Sequence, residues 1–224
     1  MTLFASLPYD TESRSAPARH RWFPDLYLRP DEYFKSVVSS RQTFPILLMW
    51  LCGIAPALER DQTRRLMGDI LEHVNLFRGP LGSWVALWTG AIIIGAFSGI
   101  LLWLIGGWWF RMRLLLSGAH NPDPLSARLV YIHAYSAWAI PFIVLQLTLV
   151  TRYFSALQAR PDTSFWLTNL VLPFWSIYLS YRGAVSCFEV RRTPARVWFL
   201  ILPSGLFSLV LVLLLVSGFA SAYF

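Results

Sequence analysis

Long stretches without a charged residue dominate the hydrophobic pattern of this chain. Five stretches lack Asp, Glu, Lys and Arg and are 17, 32, 23, 19 and 28 residues long: Gln42–Leu58, Gly79–Phe110, Leu129–Thr151, Thr163–Tyr181 and Val197–Phe224. About 20 apolar residues span a bilayer as a helix. Transmembrane β-strands would alternate apolar and polar residues, and stretches such as Ser208–Val216 do not. The pattern predicts an all-α, polytopic membrane helix bundle with five transmembrane helices plus short interfacial helices.

This pattern divides the chain in two. We expect a polar cytoplasmic tail over residues 1–28 and a transmembrane domain over residues 29–224. The five expected spans cover about 42–58, 82–108, 129–151, 163–183 and 197–219. The first stretch is the shortest and contains Pro45 and Pro56, and as a helix it reaches about 25 Å. A re-entrant hairpin there is the alternative, and it would leave four spans with both termini on one side.

Two connecting segments have an amphipathic pattern. Arg29–Arg41 predicts a short helix, because Pro30 suits a first helical turn and the acidic residues 31 and 32 favour a helix N-terminus. Each segment has an apolar stripe: Tyr33, Phe34, Val37 and Val38 in the first, and Leu66, Met67, Ile70, Leu71, Val74 and Phe77 in the second. Both stripes suit helices in the plane of the membrane interface, and equally helices that pack on neighbouring loops. Ser117–Pro124 predicts a helix break.

The distribution of basic residues predicts the orientation. Of the 19 basic residues, all except Lys35 are arginine, a bias that suits a GC-rich bacterial genome. Thirteen lie in the tail, the second–third loop and the fourth–fifth loop, and six lie in the other two loops. Basic residues favour cytoplasmic loops, so we expect a bacterial inner membrane protein with a cytoplasmic N-terminus and an outside C-terminus. The same distribution accounts for the net charge of +7 without a nucleic-acid partner.

No motif indicates catalysis, a cofactor or a metal. The chain has no His-Glu-x-x-His, no Gly-x-Ser-x-Gly and no phosphate-binding Gly-rich loop followed by Lys. Cys52 and Cys187 have no paired spacing for a disulfide or a zinc site. The five apolar stretches contain no Asp, Glu, Lys or Arg, and His133 is their one histidine. Proton- or sodium-coupled transporters use such groups inside the membrane, so the sequence argues against a transporter of this class.

Three sets of residues are candidates for other roles. Ala91, Gly95 and Gly99 recur every four residues and predict a close helix–helix contact, within the bundle or with a partner. The arginines Arg111, Arg113, Arg191 and Arg192 are expected to bind lipid head groups or only to fix orientation. A polar cavity would be lined by His133, Tyr135, Ser136 and Asn169, with Gln146, Thr148 and Ser176 also available. Convergence of these residues on one interior face would favour transport.

The order of features along residues 28–216 resembles the Yip-domain family of five-span membrane proteins, named for interaction with Ypt/Rab GTPases. The matching segments are Arg29–Phe34, Gly106–Phe110, Tyr131 with Ala134–Ser136 and Pro141, Trp175–Ser176 with Tyr181–Gly183, and Pro194–Val197 with Pro203. The resemblance implies five spans, a cytoplasmic N-terminus and no catalytic residues. The short basic tail differs from a long eukaryotic adaptor domain, so the bacterial branch is the nearer likeness.

We therefore expect a non-catalytic membrane adaptor, scaffold or accessory subunit. Its partners would be membrane lipids and either another membrane protein or further copies of the chain. The alternative function is a channel, or a lipid or small-molecule transport component with a polar cavity between the helices. These two functions make different use of the polar residues of the third and fourth spans, so the positions of those side chains distinguish them.

Overall fold

The structure, a computed structural model, describes residues 24–40, 45–70, 84–153 and 163–223, and these residues contain helices and no strands. The helices are α1 (Asp25–Leu28), α2 (Pro30–Ser40), α3 (Pro45–Ile70), α4 (Trp84–Leu101), α5 (Gly107–Leu116), α6 (Pro124–Arg152), α7 (Thr163–Cys187), α8 (Arg192–Arg196) and α9 (Leu202–Tyr223). One π-helical turn, Leu102–Gly106, joins α4 to α5, and another, Val197–Ile201, joins α8 to α9. The predicted all-α class is confirmed for the described residues.

Three segments are long and apolar enough to cross a membrane. They are Leu87–Leu116 within α4 and α5, Pro124–Arg152, which is α6, and Arg192–Leu213 within α8 and α9. A shorter apolar segment, Ile46–Glu59, lies in α3. These segments are characteristic of a membrane protein.

The first apolar stretch forms a helix without a turn. α3 runs from Pro45 to Ile70 and contains Pro56, so the alternative of a re-entrant hairpin is wrong for this segment. Its neighbour α4 packs along α3, and such contacts let a helix tolerate the backbone hydrogen bond that an internal proline removes. Leu66, Met67 and Ile70, expected in a separate interfacial helix, continue α3. Leu71, Val74 and Phe77 lie outside the described residues.

Glycines set the contact between α3 and α4. Gly95 and Gly99 of α4 face Ile54 and Met49 of α3, so the two helices are antiparallel. A Cβ atom added to Gly99 would lie 2.5 Å from the Met49 carbonyl oxygen, and one added to Gly53 would overlap the Gly95 carbonyl oxygen. Ala91, Gly95 and Gly99 are all buried in the described chain. Gly95 and Gly99 therefore form a close helix contact within the bundle, and Ala91 is buried in it as well.

α4 and α5 run antiparallel to α6, and α5 with the π-helical turn before it packs directly on α6. The Trp84 indole Nε1–H donates to the Tyr153 carbonyl at 2.9 Å at one end, and Gly107 lies against Arg128 at the other. Gly106 lies against the Tyr131 ring. A π-helical turn ends at Gly106, where two bulky α6 side chains approach the backbone.

The predicted helix break between α5 and α6 is a capped turn. Gly118, with φ of 87°, donates to Leu115, and Ala119 donates to Leu114, which is the hydrogen-bond pattern of a glycine C-cap. The Asp123 carboxylate accepts from the Ser126 backbone N–H at 2.9 Å and so caps α6. These two caps bring α6 back alongside α5.

Helix α2 packs its apolar face on α6 and α7. Tyr33, Phe34 and Val37 are buried there, so this stripe packs on helices and not on the loops that were the expected alternative. The Tyr33 hydroxyl and His133 Nδ1 share a hydrogen bond of 2.8 Å. The Tyr27 hydroxyl, next to α2, donates to the Ala137 carbonyl at 2.8 Å. Burial raises the pKa of both tyrosines to about 12, so both stay neutral at physiological pH.

The α3–α4 contact gives a test with a matched control in the same helix. We expect Gly99→Ala to destabilise the bundle by about 1–3 kcal/mol, because its Cβ would overlap the α3 backbone. Gly90→Ala adds the same methyl group to α4 where nothing lies within 4 Å, so it should leave stability equal or higher. Melting temperatures in detergent measure both variants, and an equal melting temperature for the two would contradict the contact.

Candidate functional site

A cavity of about 300 Å³ lies between α6 and α7, and α3, α5 and α9 contribute to its wall. Its lining combines two charged residues with hydroxyl groups, an amide and aromatic rings. The lining residues are Glu59, Arg113, Tyr131, Tyr135, Trp138, Asn169, Pro173, Ser176, Ile177, Ser180 and Phe207. This volume is at the lower end of the range typical of small-molecule sites.

Helical periodicity builds the two main walls. On α6, Tyr131, Tyr135 and Trp138 recur at i, i+4 and i+7, which places them on one face. The α7 wall is a second stripe, Asn169, Pro173, Ser176, Ile177 and Ser180, which extends along about 16 Å of helix. The Ser176 hydroxyl donates to the Ala134 carbonyl at 2.9 Å and so fixes α7 against α6. The cavity is therefore an elongated site along the helix axes.

Arg113 is the buried cation of this cavity. Only 7% of it is exposed, and its guanidinium carbon lies 5.5 Å from the centre of the Phe110 ring and 4.7 Å from that of Phe199. Its Nε atom has no hydrogen-bond partner, and no carboxylate of the described residues forms an ion pair with it. A buried charge without a counter-ion costs several kcal/mol. The protein thus keeps an uncompensated cation that an anionic group in the cavity would neutralise.

Besides Arg113, the cavity is lined by a carboxylate, that of Glu59, and by aromatic rings. Glu59, at the end of the apolar part of α3, lines the cavity and forms no ion pair with Arg113. The Tyr131 and Tyr135 rings lie 6.1 Å apart, and the Tyr135 and Trp138 rings lie 5.4 Å apart. A cavity with aromatic walls and an arginine that no carboxylate pairs with can hold an amphiphile whose anionic group contacts the arginine and whose apolar part contacts the rings.

The polar residues expected to line a cavity separate into two groups, so the convergence that would favour transport is only partial. Tyr135, Asn169 and Ser176 do line it. His133 instead contacts Tyr33 of α2, and the Ser136 hydroxyl donates to the His133 carbonyl at 2.7 Å, so neither lines this cavity and that expectation needs correction. The Thr148 hydroxyl donates within its own helix, and Gln146 is buried outside the lining.

Sequence reasoning did not identify four of the polar lining residues: Glu59, Arg113, Tyr131 and Ser180. Two of them have a recognisable signal. Glu59 directly follows the first uncharged stretch, and Arg113 is the third residue after the second, so both lie where a long helix still passes through the interior of the bundle. Neither residue lies within an uncharged stretch, so the apolar pattern alone does not indicate that it lines a cavity.

The four arginines expected at lipid head groups occupy different environments. Arg113 is buried, so a head group could reach it only inside the bundle and not at the bundle surface. The Arg111 guanidinium donates to the Pro122 carbonyl at 3.0 Å and to the Asn121 side-chain oxygen at 3.3 Å, so it holds the loop between α5 and α6. Arg191 directly precedes α8 and Arg192 is its first residue, and both are exposed.

No group of three His, Cys, Asp or Glu side chains that could hold a metal ion occurs in the described part of the chain. Comparisons with protein-family models, curated proteins and solved structures gave no match. The resemblance to the Yip-domain family stays a prediction.

Substitution of the two arginines of α5 is expected to change the melting temperature in opposite directions. Burial of the Arg113 guanidinium costs several kcal/mol of solvation, and its aromatic contacts offset only about 2 kcal/mol of that cost. We therefore expect Arg113→Met to raise the melting temperature of delipidated protein. Arg111→Met should lower the melting temperature, because the loop loses two hydrogen bonds of about 1 kcal/mol each. A large destabilisation by Arg113→Met would show that this cation is part of the packing and is not an uncompensated charge.

Proposed function

We propose that this chain is a non-catalytic membrane protein that binds an anionic amphiphile in the cavity between α6 and α7, as a lipid- or small-molecule-handling component. The observation that carries this proposal is the buried Arg113, which has no carboxylate partner among the described residues and lies at the wall of a cavity with aromatic sides. An anionic head group at Arg113 would supply the missing counter-charge. The hydroxyl and amide groups of α7 would contact the polar part of the ligand.

The proposal includes five spans in the bacterial inner membrane. α3 and α7 are 26 and 25 residues long, more than the about 20 residues that a crossing requires. Antiparallel packing brings the end of α5, the start of α6, the end of α7 and α8 to one end of the bundle. Most of the described basic residues lie at that end: Arg29, Lys35, Arg111, Arg113, Arg128, Arg182, Arg191, Arg192 and Arg196. This asymmetry supports a cytoplasmic position for that end and for the N-terminus.

Ligand binding can be measured by native mass spectrometry of the purified protein in detergent. We expect phosphatidylglycerol to bind more tightly than phosphatidylcholine, and Arg113→Met to weaken phosphatidylglycerol binding about tenfold, which corresponds to about 1.4 kcal/mol. Arg111→Met, which removes the same charge two residues away and outside the cavity, should bind like the wild type. Glu59→Gln should bind equally or more tightly, because it removes a negative charge from the wall. Wild-type affinity in Arg113→Met would contradict the proposal.

A pulldown from native membranes in nanodiscs separates this function from the alternative of an adaptor, scaffold or accessory subunit. Mass spectrometry of proteins and lipids together would find a specific anionic lipid if the cavity is the functional site. A stoichiometric protein partner without a specific lipid would favour the adaptor. The small-residue surface of Ala91, Gly95 and Gly99 is already covered by α3, so a partner would bind elsewhere.

The proposed orientation is tested by reporter fusions at residue 1 and after residue 224. We expect a reporter that is active only in the cytoplasm to work at the N-terminus and not at the C-terminus, because five spans place the termini on opposite sides. Activity at both ends would indicate an even number of crossings. If a reporter that works only outside the cytoplasm is active at residue 1, the orientation is the reverse of the proposed one.

A further inference from the structure

A second cavity, of about 390 Å³, lies at the basic end of the bundle between α2, the end of α7 and α8. Four cationic side chains from these three elements line it: Lys35, Arg182, Arg192 and Arg196. One carboxylate, Asp31, lines it as well. This site is separate from the cavity that contains Arg113, since the two share no lining residue.

The single carboxylate of this second cavity is already occupied. The Arg182 Nε–H donates to one Asp31 carboxylate oxygen at 2.9 Å, and the Arg182 Nη2 contacts the other oxygen. Its Nη1 donates to the Tyr178 hydroxyl at 3.1 Å. The paired geometry fixes both side chains, so Arg182 forms a rigid wall and Asp31 offers no free charge to the other cations.

Three cations therefore converge without a counter-ion. Lys35, Arg192 and Arg196 form no ion pair with any residue of the described ranges, and each is exposed to solvent. Like charges gathered around one cavity repel each other, and an anion bound among them removes this cost. A phosphate monoester carries a charge of about −1.5 to −2 at pH 7 and three acceptor oxygens, so it suits a ring of three donors better than a single carboxylate does.

We propose that the cavity formed by Lys35, Arg192 and Arg196 against the Arg182–Asp31 pair binds the phosphate monoester of a lipid head group or of a soluble phosphorylated molecule. The arginines contribute planar donors that bind phosphate oxygens in pairs, and Lys35 contributes a mobile charge from α2. The ligand thereby bridges α2 and α8. Without it, the Arg182–Asp31 pair joins α2 to α7, and α7 in turn contacts α8.

The test uses two probes with the same phosphate group. Phosphatidic acid is added to the protein in phosphatidylcholine nanodiscs, and glycerol 3-phosphate is added to the same nanodiscs in solution. We expect saturable binding of at least one probe, and a loss of at least tenfold in affinity in the double variant Arg192→Gln/Arg196→Gln. The matched control, Arg29→Gln/Arg191→Gln, removes two exposed charges at the same end of the bundle outside the cavity and should bind within twofold of the wild type.

The outcomes separate the sources and the alternatives. Binding of phosphatidic acid alone identifies a lipid head group, and binding of both probes with similar affinity identifies the phosphate itself as the ligand. An equal loss in both double variants would overturn the site, because it would show attraction to surface charge in general. Absence of binding to both probes would also overturn it. Arg113→Met, which tests the other cavity, should not change the affinity for glycerol 3-phosphate, because this probe has no apolar part for the aromatic wall, so the two proposals fail independently.

Discussion

The bundle depends on close contact between helix backbones, because a bilayer supplies little hydrophobic drive for helices to leave lipid and meet each other. Gly53, Gly95 and Gly99 let α3 and α4 approach until an added methyl group would overlap the neighbouring backbone. Side-chain donors then use backbone carbonyls of the next helix as acceptors, as Trp50 does at Ile92 over 3.1 Å and Ser176 does at Ala134. Each contact requires a short distance, so the glycines and these hydrogen bonds support each other.

Two arginines within this frame have opposite electrostatic environments. Arg182 is paired with Asp31 and Tyr178 and fastens α2 to α7. Arg113 is buried between two phenylalanine rings and has no carboxylate partner among the described residues. The first arginine fulfils a structural role through its ion pair. The second destabilises the fold as long as no anion is bound beside it. For this reason we place the proposed function at the cavity beside Arg113.

The candidate site combines residues from five helices that no local pattern links. Tyr135, Asn169 and Ser176 were predictable as polar residues within apolar stretches, and they do share a cavity. His133 and Ser136 have the same local pattern but satisfy their hydrogen bonds elsewhere, because α2 supplies Tyr33 and the backbone of α6 supplies a carbonyl. Glu59 was not predicted as a site residue, and Arg113 was expected at head groups and not in a cavity, because each follows an apolar stretch and sequence position alone does not show that a helix end is still buried.

The sequence by itself determined the helical class, the apolar segments, the break at Gly118 and the small-residue positions of α4, since these follow from local composition and helical periodicity. Tertiary structure alone decided that α3 continues through Pro56 and that α2 packs on α6 and α7. It also decided which polar side chains converge. These outcomes depend on which neighbour covers a proline, an apolar face or a charge. Such a neighbour can be distant in the sequence: Tyr33 and His133, which share a hydrogen bond, are 100 residues apart.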